Sequence, residues 1–294
     1  MVEAWNGRSV PELLALEQLD LNLFRNRLNQ RNANDALFGG QVLAQALVAA
    51  NLTVVDRLVH SLHGYFLRAG RAHLPVIYQV DRTRDGGRFS TRRVVAVQQG
   101  EPIFHMELGF HADEPGYTHQ RPRPLDVPLP EALDDLPTLV ETMGEALPGF
   151  VRERWARRDR PISVKPVDPA QFLDGAGKEP RRRFWLKLES GAEAEDEAAR
   201  RALLTYLSDY WLAGTAALPH TMPMPSPGLF IASLDHAMWF HRPARVDDWL
   251  YIETESPSAQ GGRGLALGYV HDREGALVAT MMQEALMRPR RAGG

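Results

Sequence analysis

The chain has 294 residues, with 34 Lys and Arg against 37 Asp and Glu for a net charge of −3. Hydrophobic residues at 44% and charged residues at 24% exclude a disordered or collagen-like chain, and the missing basic excess argues against a dedicated nucleic-acid binder. There is no cysteine, so disulfides, zinc–thiolate centres, iron–sulfur clusters and cysteine nucleophiles are excluded together.

The opening stretch MVEAWNGRSVPELL lacks the basic and apolar regions of a signal peptide. Ala36 to Val55 carries no Asp, Glu, Lys or Arg. It contains Gly39, Gly40, Gln41, Gln45, Asn51 and Thr53, which makes it too polar to span a bilayer. Ala36 to Ala50 reads as a buried helix entered through Phe38-Gly39-Gly40. The runs HSLHGYFLRAG, LPVIYQVDRTRDG, FSTRRVVAVQQG and PIFHMELGFHA then read as strands, with hairpin turns at RDGG and QQGE.

Between Asp113 and Arg183 lie 11 of the 21 prolines. Proline interrupts both helix and sheet ladders. The stretch therefore reads as a long connection, with helical candidates at LPTLVETMGEAL and GFVRERWARR. The expected division is a module at 10–113, a Pro-rich connection at 114–182 and a second module at 183–290. Glu197 to Gly214 is expected as one helix closed by Gly214. Ala202 to Leu234 has Asp209 as its only charge and is broken by Pro219, Pro223, Pro225 and Pro227. The strands LFIASLDHAMWF, WLYIETESPSA, GLALGYVHDREG and ALVATMMQEALM complete the chain. The terminal RPRRAGG carries no peroxisomal or reticulum address, so a cytoplasmic location is expected.

The two halves repeat. Gly86-Gly87-Arg88 and Gly261-Gly262-Arg263 stand 175 residues apart, and Gly100 and Gly275 follow at the same offset. His63-Gly-Tyr-Phe-Leu-Arg68 matches His236-Ala-Met-Trp-Phe-His-Arg242 with one insertion. A helix followed by antiparallel strands, twice over, argues for a duplicated α+β fold.

Motifs for an α/β-hydrolase nucleophile, a zinc protease or a phosphate-binding loop are absent. Asp209 is the most informative residue. A carboxylate in so apolar a helix must be paired, hydrogen-bonded or protonated; it is either a structural cap, bonding a backbone amide at a helix break near Ser208, or a functional group. Ser233 and Gln283 are isolated polar residues in apolar strands. Each is either outward-facing or part of a site in which carboxylate, hydroxyl and amide hold a water and polarise a carbonyl. His60, His63, His236 and His241 read mainly as partly buried strand-edge histidines, and Asp235-His236 as a weak acid/base pair. Trp239 and Phe240 read as packing residues, and Arg181-Arg182-Arg183 and Glu193 to Glu197 as solvated surface, with basic side chains near a cleft mouth suited to a phosphate-bearing ligand.

The blocks FGGQVLAQAL, RLVHSLHGYFLRAG, RRVVAVQQGEPIFHM, LDHAMWFHRP and VATMMQEALMR resemble the acyl-CoA thioesterase II family, from about Leu13 to Arg288. The resemblance implies a double hotdog, two tandem modules each with an antiparallel sheet wrapped around a long central helix. It also implies acyl-CoA as substrate, no cofactor or metal, and a homo-oligomer, dimer or tetramer. Neither nucleic acid nor membrane is expected as a partner. The family's aspartate, hydroxyl residue and glutamine fall on Asp209, Ser233 and Gln283. Serine at 233 departs from the threonine commoner in bacterial members; it keeps the hydroxyl and drops the methyl. Backbone N–H groups near Phe38-Gly39-Gly40 are the expected oxyanion donors. Two other readings remain: a hotdog hydratase or dehydratase recruiting Asp235-His236 or His60, and a non-catalytic acyl-CoA binding module.

Overall fold

The computed structural model describes residues 2–157, 161–173, 179–220, 226 and 228–290. Arg158 of the second helical candidate, Pro223, Pro225, Pro227 and the last four residues of RPRRAGG lie outside them. The chain opens with β1 (Glu3–Ala4), α1 (Val10–Leu14), β2 (Leu16–Asp20), β3 (Leu23–Asn26) and β4 (Leu28–Asn29). The first repeat follows as α2 (Gly39–Asn51), β5 (Leu58–Phe66), β6 (Ile77–Asp85), β7 (Phe89–Gln98) and β8 (Glu101–His111). The Pro-rich stretch contains α3 (Leu136–Met143), α4 (Gly149–Trp155), β9 (Ile162–Pro166) and α5 (Ala170–Leu173). The second repeat consists of β10 (Arg181–Leu188), α6 (Glu197–Ser208), α7 (Leu212–Ala217), β11 (Leu229–Ser233), β12 (Asp235–Phe240), β13 (Leu250–Gln260), β14 (Arg263–His271) and β15 (Leu277–Pro289).

Among the described residues, thirteen strands form one sheet in the order β2-β3-β6-β7-β8-β5-β12-β15-β14-β13-β10-β9, with β11 also on β15. The repeats join through the antiparallel pair β5–β12, where His63 faces Ala237 and Gly64 faces His236. The two copies of the matched segment therefore pair with each other about a local two-fold, the arrangement expected of two fused hotdog modules.

A turn glycine explains one of the repeated positions, Gly100 and Gly275, whereas of the two Gly-Gly pairs only Gly261-Gly262 takes positive φ. Gly100, Gly261, Gly262 and Gly275 all take positive φ, from 61° to 95°, a region where a side chain is strained. α2 is wrapped by β5 to β8 of its own repeat and packs against α6 of the other. Its polar residues are buried but satisfied: Gln41 donates to Leu28 O at 3.1 Å, and Gln45 donates to Leu13 O at 2.7 Å and accepts from the Tyr78 hydroxyl at 2.7 Å. No helix among the described residues is long and apolar enough to cross a membrane.

Three local expectations are corrected. The helix expected over Glu197–Gly214 is two helices, interrupted at 209–211, with Gly214 inside α7 instead of closing it. α6 packs on α2, whereas α7 packs on β13, β14 and β15, so the break lets one segment serve both partners. The strand LFIASLDHAMWF is also two strands. Ser233 pairs with Ala285 and Ala237 with Met282, a shift of one residue at Leu234, which acts as a β-bulge. Finally, Arg181-Arg182-Arg183 is not a solvated run. Arg181 pairs with Glu253 at 2.7 Å and Arg183 with Asp126 and Asp168, while Arg182 is only 3% exposed.

Candidate active site

The start of α2 and the end of α6 meet at a cavity of about 520 Å³. Glycine is what allows the approach. A Cβ on Gly39 would stand 2.6 Å from Asp209 Oδ2, and one on Gly40 would stand 2.5 Å from the Tyr206 carbonyl. Phe38 precedes the helix, its N–H bonded to Gln30 O at 3.0 Å, and the Gln30 side chain is held by the hydroxyls of Tyr206 at 2.9 Å and Tyr210 at 3.1 Å.

Asp209 is the C-terminal cap of α6 and lines the cavity. The cap reading fits its position at a helix end, where its carboxylate takes the Gly40 backbone N–H; it also stands at a cavity wall. Burial lifts its pKa to about 6 from an ordinary 3.8; bonds from Gln283, Ser233 and the Gly40 backbone N–H pull the other way. The amino end of α2, with its partial positive charge, faces this carboxylate.

Ser233 and Gln283 arrive from β11 and β15. The Ser233 hydroxyl donates to Asp209 Oδ1 at 3.2 Å. Gln283 Nε2 donates to the same oxygen at 2.5 Å and reaches Ser233 Oγ at 2.9 Å. The structure thus brings all three together, although 24 and 74 residues separate Ser233 and Gln283 from Asp209. Gln283 is 1% exposed, an inward-facing residue. The bulge at Leu234 makes the convergence possible. Side chains alternate along a strand, and the one-residue shift brings Ser233 and His236, three apart, onto the same side against Gln283.

His236 is the neighbour that sequence reasoning placed elsewhere. It is buried, and burial lowers its pKa to about 3, so the ring is neutral. Ser208 Oγ donates to Thr205 O at 2.7 Å, which uses its proton. The 2.9 Å contact with His236 Nε2 therefore has the imidazole as donor. Nδ1 is then the acceptor, and it lies 3.3 Å from Gln283 Nε2. Bracketed by Asp209, Ser233 and His236, the amide nitrogen has one orientation, which leaves Gln283 Oε1 as a buried acceptor without a partner among the described residues.

The remaining candidates lie apart from this cluster. Asp235 Oδ1 accepts the Glu284 N–H at 2.7 Å, and no hydrogen bond joins it to His236 among the described residues. His60 stacks edge-on to Phe89 and His111, with centroids 5.9 Å and 6.3 Å away. His63 packs edge-on against Trp239 at 5.1 Å, and His241 bonds Thr280 at 2.9 Å. Phe240 is 6% exposed, within the core. No group of three His, Asp or Glu among the described residues is placed to hold a metal ion.

Comparison with known proteins agrees with the duplicated fold. Residues 29–111 match the family model described as acyl-CoA thioesterase N-terminal domain, and residues 130–287 match acyl-CoA thioesterase C-terminal domain. The chain is 42% identical to acyl-coenzyme A thioesterase 8 of Homo sapiens, over 95% of this chain and 88% of that one. It is 36% identical to acyl-CoA thioesterase 2 of Haemophilus influenzae, over 94% and 96%. The crystal structure of an acyl-CoA thioesterase II from Mycobacterium marinum superposes with a TM-score of 0.77 at 38% identity, covering 96% of this chain and 99% of that one. Two matched domains spanning most of the chain, on a duplicated hotdog architecture, lead to one assignment: the chain belongs to the acyl-CoA thioesterase family.

Proposed function

We propose that this protein hydrolyses acyl-CoA thioesters to free fatty acid and CoA, with a water activated by Asp209 and positioned by Ser233 and Gln283. The observation that carries this reading is a carboxylate at a cavity wall, its pKa lifted to about 6, bonded at once by a hydroxyl and an amide. A pKa just below neutrality suits a general base, which must be ionised at working pH and still hold a proton in the transition state. Asp209 accepts a proton from the water as its oxygen bonds to the thioester carbon. The resulting oxyanion collapses, the C–S bond breaks, and the leaving thiolate takes up the proton that Asp209 received.

Ser233 and Gln283 orient the carboxylate and the water. His236 is a positioning residue: its tautomer, set by Ser208, offers a lone pair to the Gln283 amide and keeps the nitrogen turned to Asp209. The oxyanion donor is narrowed from Phe38-Gly39-Gly40 to Gly39. The Gly40 N–H is engaged by Asp209, while the N–H at the first helical position has no intrahelical acceptor. Assembly with further copies is part of the reading, since among the described residues the outer strands β2 and β9 carry unpaired sheet edges.

The test is thiol release from acyl-CoA by Asp209→Asn, which keeps the shape and removes the base. Loss of a general base lowers the rate by about 10²- to 10⁴-fold. Turnover equal to wild type by a folded Asp209→Asn variant contradicts the assignment.

A further inference from the structure

The cavity wall carries a charge that hydrolysis does not use. Arg182 lies in β10 opposite Thr254. The residues that share its inward side, Phe184, Leu186 and Leu188, are fully buried. A guanidinium thus occupies a position where the strand's alternation calls for an apolar side chain. Its Nε donates to Gln171 O at 3.3 Å, and its guanidinium carbon lies 5.3 Å from the centroid of the Phe172 ring.

Its neighbours in sequence have carboxylate partners: Arg181 has Glu253, and Arg183 has Asp126 and Asp168. Arg182 has none among the described residues, and it lines the same cavity as Asp209. Burial pulls its pKa down to about 10, which leaves it cationic at neutral pH. An unpaired ion held out of water is costly, and a guanidinium presents five N–H donors in a fork matched to carboxylate and phosphate oxygens. Among the described residues, one of the five meets a protein acceptor.

We infer that Arg182 is a subsite for an anionic oxygen group of the substrate, and specifically for a carboxylate at the far end of the acyl chain. One wall favours this source over a CoA phosphate. Phe172, Phe184 and Trp211 pack with centroids 5.4 Å and 5.0 Å apart, and Phe172 and Trp211 line the cavity. The aromatic wall suits a hydrocarbon chain; Arg68 and Arg154 also line the cavity, so an ester lacking the CoA phosphate decides between the two sources. The inference rests on the reading of this cavity as the acyl-CoA site.

The experiment measures thiol release by the full chain, wild type and Arg182→Met. The substrates are two acyl-CoA esters of equal length, one ending in methyl and one in carboxylate, and the methyl-ended ester of CoA lacking its 3′-phosphate. Wild type is expected to favour the carboxylate-ended ester. In Arg182→Met the ratio of kcat/KM for the carboxylate-ended to the methyl-ended ester falls about 10- to 100-fold, the effect of losing hydrogen bonds to a charged group. Melting temperature does not fall, because the variant removes an unpaired ion. A loss common to both full CoA esters and absent from the dephosphorylated one supports the anion subsite but assigns it to the CoA phosphate. Unchanged selectivity among all three overturns the inference. If Arg182→Met fails to fold, Arg182→Lys keeps the charge without the fork, and a carboxylate-to-methyl ratio equal to wild type there overturns it. Wild-type protein that hydrolyses none of the esters refutes instead the reading on which the inference rests.

Discussion

Asp209→Asn is expected to stabilise the fold while disabling it, and the stabilisation carries a pH signature. In the folded chain the carboxyl titrates at about 6, against 3.8 when unperturbed. A raised carboxyl pKa means that the folded state holds its proton more tightly than the unfolded state does, so ionisation costs stability as pH rises from 3.8 through 6. At about 1.4 kcal/mol per pKa unit, the cost approaches ~3 kcal/mol above pH 7 and is ~1 kcal/mol near pH 4.5. Asparagine does not ionise and escapes this cost, although one of its terminal atoms no longer accepts a hydrogen bond, which returns about 1 kcal/mol. Water in the cavity reduces both figures. For a chain of this size, 1 kcal/mol corresponds to about 2–4 °C. The assay is thermal unfolding of both proteins from pH 4.5 to 8. The difference in melting temperature, variant minus wild type, should grow across that range by at most about 4–8 °C. A difference that stays constant, or that shrinks as pH rises, refutes the claim that Asp209 is a destabilised carboxylate.

Other substitutions test the surrounding geometry. Gly39→Ala puts a Cβ where Asp209 Oδ2 lies 2.6 Å away, so the carboxylate must move; kcat should fall about 10- to 100-fold with little change in melting temperature. Ser233→Ala removes a donor that lowers the pKa of Asp209, so the acidic limb of the rate profile should move to higher pH, and Ser233→Thr should leave that limb where it is. If His236 acts through Gln283, a His236→Leu change that lowers kcat about 10-fold should lower it little further in a Gln283→Ala background; additive losses indicate separate roles.

Strand alternation decides which features could be read in advance. The repeat was legible because turns at positive φ require glycine, so the offset between Gly100 and Gly275 records a hairpin directly. Asp209 was legible as a lone charge in an apolar helix. The helix break at 209–211 was legible only as the cap alternative for Asp209, because the weak helix formers of SDYWLAG permit a break without requiring one, and its place answers to tertiary packing on α2 and β14. Asp235-His236 and Arg181-Arg182-Arg183 look like clusters in one dimension, but successive strand side chains point to opposite faces. That rule sends His236 inward to Gln283 and Asp235 to the Glu284 backbone, and it buries Arg182 between two paired arginines. The one-residue bulge at Leu234, which aligns Ser233 with His236, leaves no mark in composition or spacing.

The central claim is that Asp209 must be ionised to activate water, and the pH dependence of kcat with saturating acyl-CoA tests it most directly. Burial lifts the carboxyl pKa to about 6, so kcat should fall about tenfold per unit below that pH and level off above about pH 7. A rate that stays level down to about pH 4.5, with the protein still folded, contradicts the account.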